Sequence, residues 1–372
     1  MKGTFIIVLA IAALVVGVLM LGQKEDDAKI VTAQAEERSI EESRQTMRVE
    51  RSDAALAWVT PVIETQTPTN WLARMRAGDC PRLSAEEAEA YVIANKRSAE
   101  SLLAAYYRGT RDKAYIREAM EKFPDDPRVN FAGYFDAAIF HNADYTSDER
   151  RAILEPFAKS APENSLPNYL AASDYFKSGE SDKALEQFRN AGTKPSLNDY
   201  SIEFIQNAEE AFRNAGYSEA DAKAIATWDL LLPHLSKLKQ AGVDLLELAG
   251  RYQQSGDEAQ AREARQLALH LADMLQDGSQ QKILISQLVG ISIERKVLES
   301  FDSNSAYDNS VRTVQQRIDE LTQNKKKLSA NVDLVENLLP TMTAAAQSAF
   351  FDRIRIYGEE SAKEWAIGKY GN

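Results

Sequence analysis

Apolar residues recur with a helical period along most of this chain, and the pattern separates it into distinct stretches. Thr4 to Leu21 (TFIIVLAIAALVVGVLML) is apolar almost throughout, with no charge and no proline. At helical rise it covers about 27 Å, close to the thickness of a bilayer's hydrocarbon core. Ala28 to Ala57 is polar and helix-prone, has too few apolar positions for a broad stripe, and reads as a solvated juxtamembrane helix or stalk. Thr60 to Cys80 carries Pro61, Pro68 and Gly78 and reads as a loop. Helices then follow quickly. Ser84 with Glu87 forms a capping box, Ser98 to Tyr107 is closed by Gly109, and Asp112 to Lys122 is stopped by Pro124 and Pro127. Ser201 to Asn214 and Ser218 to Leu232 form a further helical pair, ended by Pro233.

Past the middle the pattern changes. Ile283, Leu284, Ile285, Leu288, Val289 and Ile291 give the first half of Ser279 to Phe301 an almost all-round apolar surface. That run is too short and too interrupted by polar residues to span a membrane. It reads as a buried helix sealing the end of the helical region, with a partner or self-association surface as the alternative. Val311, Val314, Ile318, Leu321, Leu328, Val332 and Val335 recur at threes, fours and sevens. They predict a long amphipathic helix that packs across the array or against a second copy, so a homo-oligomer contact through 311–335 stays open. Shorter helices at Pro340 to Tyr357 and Glu359 to Tyr370 end the chain.

A longer period overlies the helical one. Pro124, Pro162 and Pro195 stand 38 and 33 residues apart, a spacing typical of stacked arrays. Between the last two, one helix carries Ala172 and Tyr175, Gly179 sits at a turn, and a second helix carries Ala184, Phe188 and Ala191. Small residues let two antiparallel helices approach, aromatics fill the space between neighbouring hairpins, and glycine relieves the tight turn. This order, closed by Pro195, resembles the tetratricopeptide repeat. A weaker copy has Ala249, Tyr252, Gly256, Ala261 and Ala268, with Arg265 where that family prefers an aromatic. A looser one has Ala132, Phe135, Ala152 and Phe157. The resemblance covers roughly residues 97–276 and implies an α-solenoid of antiparallel helical hairpins with a concave protein-binding surface.

Charge and composition narrow the function classes. The 372 residues carry a net charge of −12, which makes nucleic acid a poor partner. The single cysteine, Cys80, excludes an internal disulfide. Lys2 before the apolar run, with Glu25, Asp26 and Asp27 after it, favours a cytoplasmic N-terminus and an exported remainder. A cleavable signal peptide is the rival reading, but Ala33-Gln34-Ala35 lies too far beyond the run for usual cleavage.

The sequence nominates no catalytic residue, cofactor-binding residue or metal ligand. His141, His234 and His270 stand alone, and no H-E-x-x-H, C-x-x-C, phosphate-loop or nucleophile-elbow motif is present. Asp302, Asn304 and Asp308 crudely suggest a calcium loop, but the sixth position is Tyr307 where glycine is needed, so they read as a capping turn. Lys325-Lys326-Lys327 reads as a solvated face more than an anion site.

The expectation is therefore an all-α chain with four parts: an N-terminal transmembrane helix (1–23), a stalk and linker (24–80), a repeat-like helical domain (81–301) and a C-terminal helical extension (302–372). It would sit at the outer face of a bacterial cytoplasmic membrane, held by residues 4–21, and act as a scaffold for an unidentified protein or peptide. The alternatives are a glycan-acting cell-envelope enzyme and an oligomeric spacer. Asn130, Tyr134, Asn168 and Tyr169, on the first helices of the hairpins, are the candidate groove residues, with packing weighed above recognition for both tyrosines.

Overall fold

The computed structural model describes residues 75, 80–140, 144–307 and 312–371. Thr4 to Leu21, the stalk and Val311 lie outside them, and no helix among the described residues is long and apolar enough to cross a membrane. The chain divides into two compact units, Met1–Gly78 and Asp79–Asn372, and the account below concerns the second. It is all-α, and the described residues contain no strand beyond two isolated bridges, Asn164 with Ser196 and Ala306 with Thr313.

Many of the helices start where the sequence supplies a side-chain cap, as at Ser84, Ser98, Asp112, Thr146 and Thr343. We number them α1 (Ala85–Ala94), α2 (Ala99–Arg108), α3 (Lys113–Lys122), α4 (Pro127–Phe135), α5 (Ser147–Ser160), α6 (Leu166–Lys177), α7 (Ser181–Gly192) and α8 (Ser201–Asn214). They continue as α9 (Glu219–Trp228), α10 (His234–Gln254), α11 (Glu258–Gln276), α12 (Leu284–Leu298), α13 (Val314–Leu338), α14 (Ala344–Tyr357) and α15 (Glu359–Tyr370). The capping box of Ser84 and Glu87 opens α1, and Thr146 with Glu149 and Thr313 with Gln316 repeat the device at α5 and α13. Each cap satisfies amides that have no partner inside the helix.

Three hairpins close by one turn geometry. Gly179, Gly216 and Gly256 take φ of 75°, 92° and 84°. The next amide reaches back across the helix end: Glu180 to the Tyr175 carbonyl, Tyr217 to Phe212 and Asp257 to Tyr252. This is the Schellman closure, which places a residue in the left-handed region where glycine is unstrained. The α8/α9 hairpin was expected only as a helical pair, yet it shares this turn with α6/α7 and α10/α11.

Two expected boundaries move. The helix predicted to run to Leu232 ends at Trp228, because Arg108 of α2 donates to the carbonyls of Ala226 and Asp229 and takes over the helix end. The last long helix begins at Ala344 under a Thr343 cap, after a 3₁₀ turn that contains Pro340.

Neighbour relations are not purely sequential. The hairpin α10/α11 packs directly on α6/α7, with α10 against α6 and α11 against α7, although α8/α9 lies between them in the chain. The α8/α9 pair leaves the stack and returns to α2, and α9 then carries α14. From α14 the packing continues through α15, α13 and α12 back to α10 and α11. The circuit of packed helices closes on itself, whereas in an open array each unit touches only its neighbours.

One apolar core runs from Phe131 to Val297 through the hairpins, and a second joins α12 to α13. In α13 the buried residues are Val314, Leu321, Leu328 and Val335, one per heptad. Their stripe is covered within the chain, with Val314, Leu321 and Leu328 against Leu284, Leu288, Ile291 and Leu298 of α12. The all-round apolar segment is α12 itself, buried between α10, α11 and α13.

Candidate interaction groove

The four expected groove residues all point into packing. Asn130 Nδ2 donates to the Pro124 carbonyl at 2.9 Å and to Ser160 Oγ at 3.2 Å, tying α4 to the end of α5. Asn168 Nδ2 donates to Gln187 Oε1 at 2.8 Å, which ties α6 to α7. The Tyr134 hydroxyl donates to Asp174 Oδ2 at 3.0 Å, and the Tyr169 ring meets Phe188 edge-on at 5.3 Å between centroids. Tyr134 and Tyr169 are 1% and 0% exposed, so neither ring is offered to a partner in this conformation.

What covers the inner sides of α4 and α6 is the chain's own α8 and α10. Phe204 of α8 stacks on Phe131 of α4, with ring centroids 6.2 Å apart and planes 18° apart, and also meets Tyr107 of α2. His234, at the start of α10, lies between Phe131 and Phe135. One turn on, the Lys237 ammonium sits 5.5 Å from the centre of the Tyr134 ring. A small cavity remains where these elements meet, of about 20 Å³, lined among others by Tyr107, Phe131, Asn207 and His234. Asn207 Nδ2 and His234 Nδ1 are buried there without a protein partner. That volume and those two polar atoms suit a single water.

One ionic cluster holds α10 down, and a second holds the end of α9, the hairpin partner of α8. Asp174 of α6 is fully buried and receives Tyr134, Lys237 of α10 at 3.4 Å and Arg150 of α5 at 3.8 Å, so one carboxylate joins four helices. Burial pushes the Lys237 ammonium below its usual range despite Asp174, and burial together with Asp174 pushes the Tyr134 phenol well up. At the other end Arg108 bonds Asp229 Oδ2 as well as the two carbonyls of α9, and Arg82 adds a second cation on Asp229 at 3.1 Å. A cation at a helix C-terminus also opposes the negative end of the helix dipole.

The chemistry of the groove is that of a lock. Ser201 Oγ donates to Asp199 Oδ1 at 2.6 Å, and His234 Nε2 lies 3.0 Å from Asp199 Oδ2. The carboxylate stands between serine and imidazole, so the histidine is not placed to take the serine proton as a nucleophile's base must. Burial alone would raise the Asp199 carboxyl, but His234 and Ser201 outweigh it and hold it below its usual range. Asp174 and Glu294, both fully buried, are each engaged by internal cations. No group of three or more His, Cys, Asp or Glu among the described residues could hold a metal ion.

Sequence reasoning passed over Asp174, Lys237 and Arg108, and read His234 as an isolated histidine. The only local signal was charge on an otherwise apolar face: Lys237 stands with Leu235, Leu238 and Ala241 along the buried side of α10. No family model matches the chain, and neither curated proteins nor solved structures provide a match.

Proposed function

We propose that this chain is a membrane-tethered interaction scaffold, built as a tetratricopeptide-like array whose inner face is already filled by its own helices. The observation that carries the reading is the direct stacking of α10/α11 on α6/α7 across an inserted hairpin. Helix hairpins that find each other over 40 intervening residues share a complementary, repeat-like surface, as the small and aromatic residues at 172–191 and 249–268 imply. The same inner face holds an amphipathic helix in place, which is how helical grooves engage partners. With α8 and α10 there, a partner docks on the solvent side of the second helices, where α7 and α11 present Glu186 and Arg262. The tether is Thr4 to Leu21, whose length and lack of charge suit a bilayer.

Photo-crosslinking in native membranes tests this. A crosslinking side chain at Glu186 or Arg262 is expected to trap a discrete protein that the same side chain at Asp319 on α13 does not trap. Identical adduct patterns at all three positions sink the scaffold reading. Alkaline carbonate washing tests the tether: the full chain stays with the membrane, and deleting residues 4–21 releases it.

A further inference from the structure

The protein is acidic overall, yet four cations from three helices lie where α12 packs against both α10 and α13. They are Lys239 of α10, Arg295 and Lys296 of α12, and Lys325 of α13. The helices approach closely: a Cβ built on Gly242, one turn after Lys239, would lie 3.2 Å from Ile293 Cγ2, one turn before Lys296. Lys325 is within electrostatic range of both Arg295 and Lys239, and Lys239 of Lys296. Among the described residues the group has one carboxylate partner, Glu299, which takes Arg295 Nη2 at 2.9 Å. Arg295 Nε is buried with no acceptor. Lys239 and Lys325 are half-buried; burial first, then repulsion from Lys296 on Lys239 and from Arg295 and Lys239 on Lys325, pushes both ammonium groups below the usual lysine range.

Such a cluster is unfavourable in the empty protein. Like charges repel, and a buried guanidinium nitrogen without an acceptor loses its hydration. Arg108, Lys223 and Arg317 are each answered by a carboxylate, Asp229, Asp352 and Glu294, whereas Arg150 and Arg353 share with Arg295 a buried Nε that has no acceptor, Arg150 beside Asp174 and Arg353 over the Tyr357 and Trp365 rings. From the four convergent cations, the lone carboxylate and the orphaned Arg295 Nε, we propose that this junction binds a phosphate group carrying at least two negative charges. The free Nε edge of Arg295 donates to one phosphate oxygen, and the lysines act as mobile point charges around the others. Tripling of lysine at 325–327 hid this in the sequence, because only Lys325 turns toward the junction while Lys326 and Lys327 stay exposed. The inference does not depend on the scaffold reading.

The group is carried either by a free phosphorylated small molecule or by a lipid headgroup, and thermal unfolding of the full chain in detergent separates them. With ionic strength held constant by sodium chloride, millimolar pyrophosphate is expected to raise the melting temperature by about 3–5 °C. The double variant Lys239→Ala, Lys325→Ala is expected to melt at or above the wild-type temperature without anion, since repulsion is relieved, and to lose the pyrophosphate shift. Lys326→Ala keeps the shift. Monomeric short-chain phosphatidic acid in the same titration assigns a headgroup if it matches pyrophosphate, and a free anion if it has no effect. No shift beyond sodium chloride in the wild type, or an equal shift in the double variant, overturns the proposal.

Discussion

The hairpins α6/α7 and α8/α9 begin alike and end in different places. Both turn through a left-handed glycine with the same backbone closure, and both bury an aromatic ring completely, Phe188 in one and Phe212 in the other. The first hairpin sits in the stack by apolar contact with the hairpins on either side, fastened at one interior point by Asp174 of α6, which takes Tyr134, Arg150 and Lys237. The second is pinned at its ends by charge: Arg108 on the last turn of α9, Lys223 on Asp352 and Ser348, and Arg355 on Glu209. A local turn makes a hairpin, but partners far away in sequence decide where it lies. Non-directional burial admits several docking positions, whereas a buried charge accepts only the position where its partner waits.

The sharpest way to break this comparison is Arg108→Ala. It leaves Asp229 paired with Arg82 and strips the buried Ala226 carbonyl and the half-buried Asp229 carbonyl of their donor, a loss of about 3–5 kcal/mol. Hydrogen exchange is expected to accelerate over residues 201–232 while 166–192 keeps its protection. Equal acceleration in both would mean that they unfold as one unit.

A smaller effect separates two buried glutamates. Burial would raise Glu294, but Arg317, Gln276 and Tyr307 outweigh it and hold its pKa down. Its contribution is present above the unfolded carboxyl pKa and lost as pH falls. Glu209 of α8 is pushed up by burial against Arg355, so its contribution has the opposite sign and grows as pH falls. Glu294→Gln should lower stability at pH 7 by about 1.5–3 kcal/mol and flatten its decline toward pH 4. Glu209→Gln should steepen that decline. Urea midpoints at the two pH values measure both slopes, and slopes that change in the same direction would refute the assignment.

Replacing Gly179, Gly216 or Gly256 by alanine probes the shared turn. Nothing lies within 4 Å of the added Cβ at any of them, so only backbone strain remains. Each should cost about 1–2 kcal/mol, the same in all three hairpins. A much smaller loss at Gly216 would show that the inserted hairpin does not depend on its closure. The smallest expected effect is Tyr134→Phe, about 1 kcal/mol by denaturant midpoint, from one lost hydrogen bond to Asp174.

Much of this was legible along the chain because helices are local objects. Ser84, Thr343 and Gly179 act on backbone groups within five residues of themselves, and the heptads of α13 lie on one face whatever covers them. The candidate groove was legible only in part. Asn130, Tyr134, Asn168 and Tyr169 are helix-borne polar and aromatic residues near a hairpin surface, but a one-dimensional pattern cannot reveal that α8 and α10 return to cover that surface.

The sequence by itself determined an all-α chain, the positions of its caps and turns, and which face of each helix is apolar. Tertiary structure alone decided that α10/α11 stacks across an insertion, that α8/α9 folds back on α2, and that Lys239, Arg295, Lys296 and Lys325 share one junction. The physical reason is range. Caps and helical periodicity act over a few residues, whereas the pairing of Arg108 with Asp229 links positions 121 residues apart, and such contacts are specified only once the intervening chain has folded.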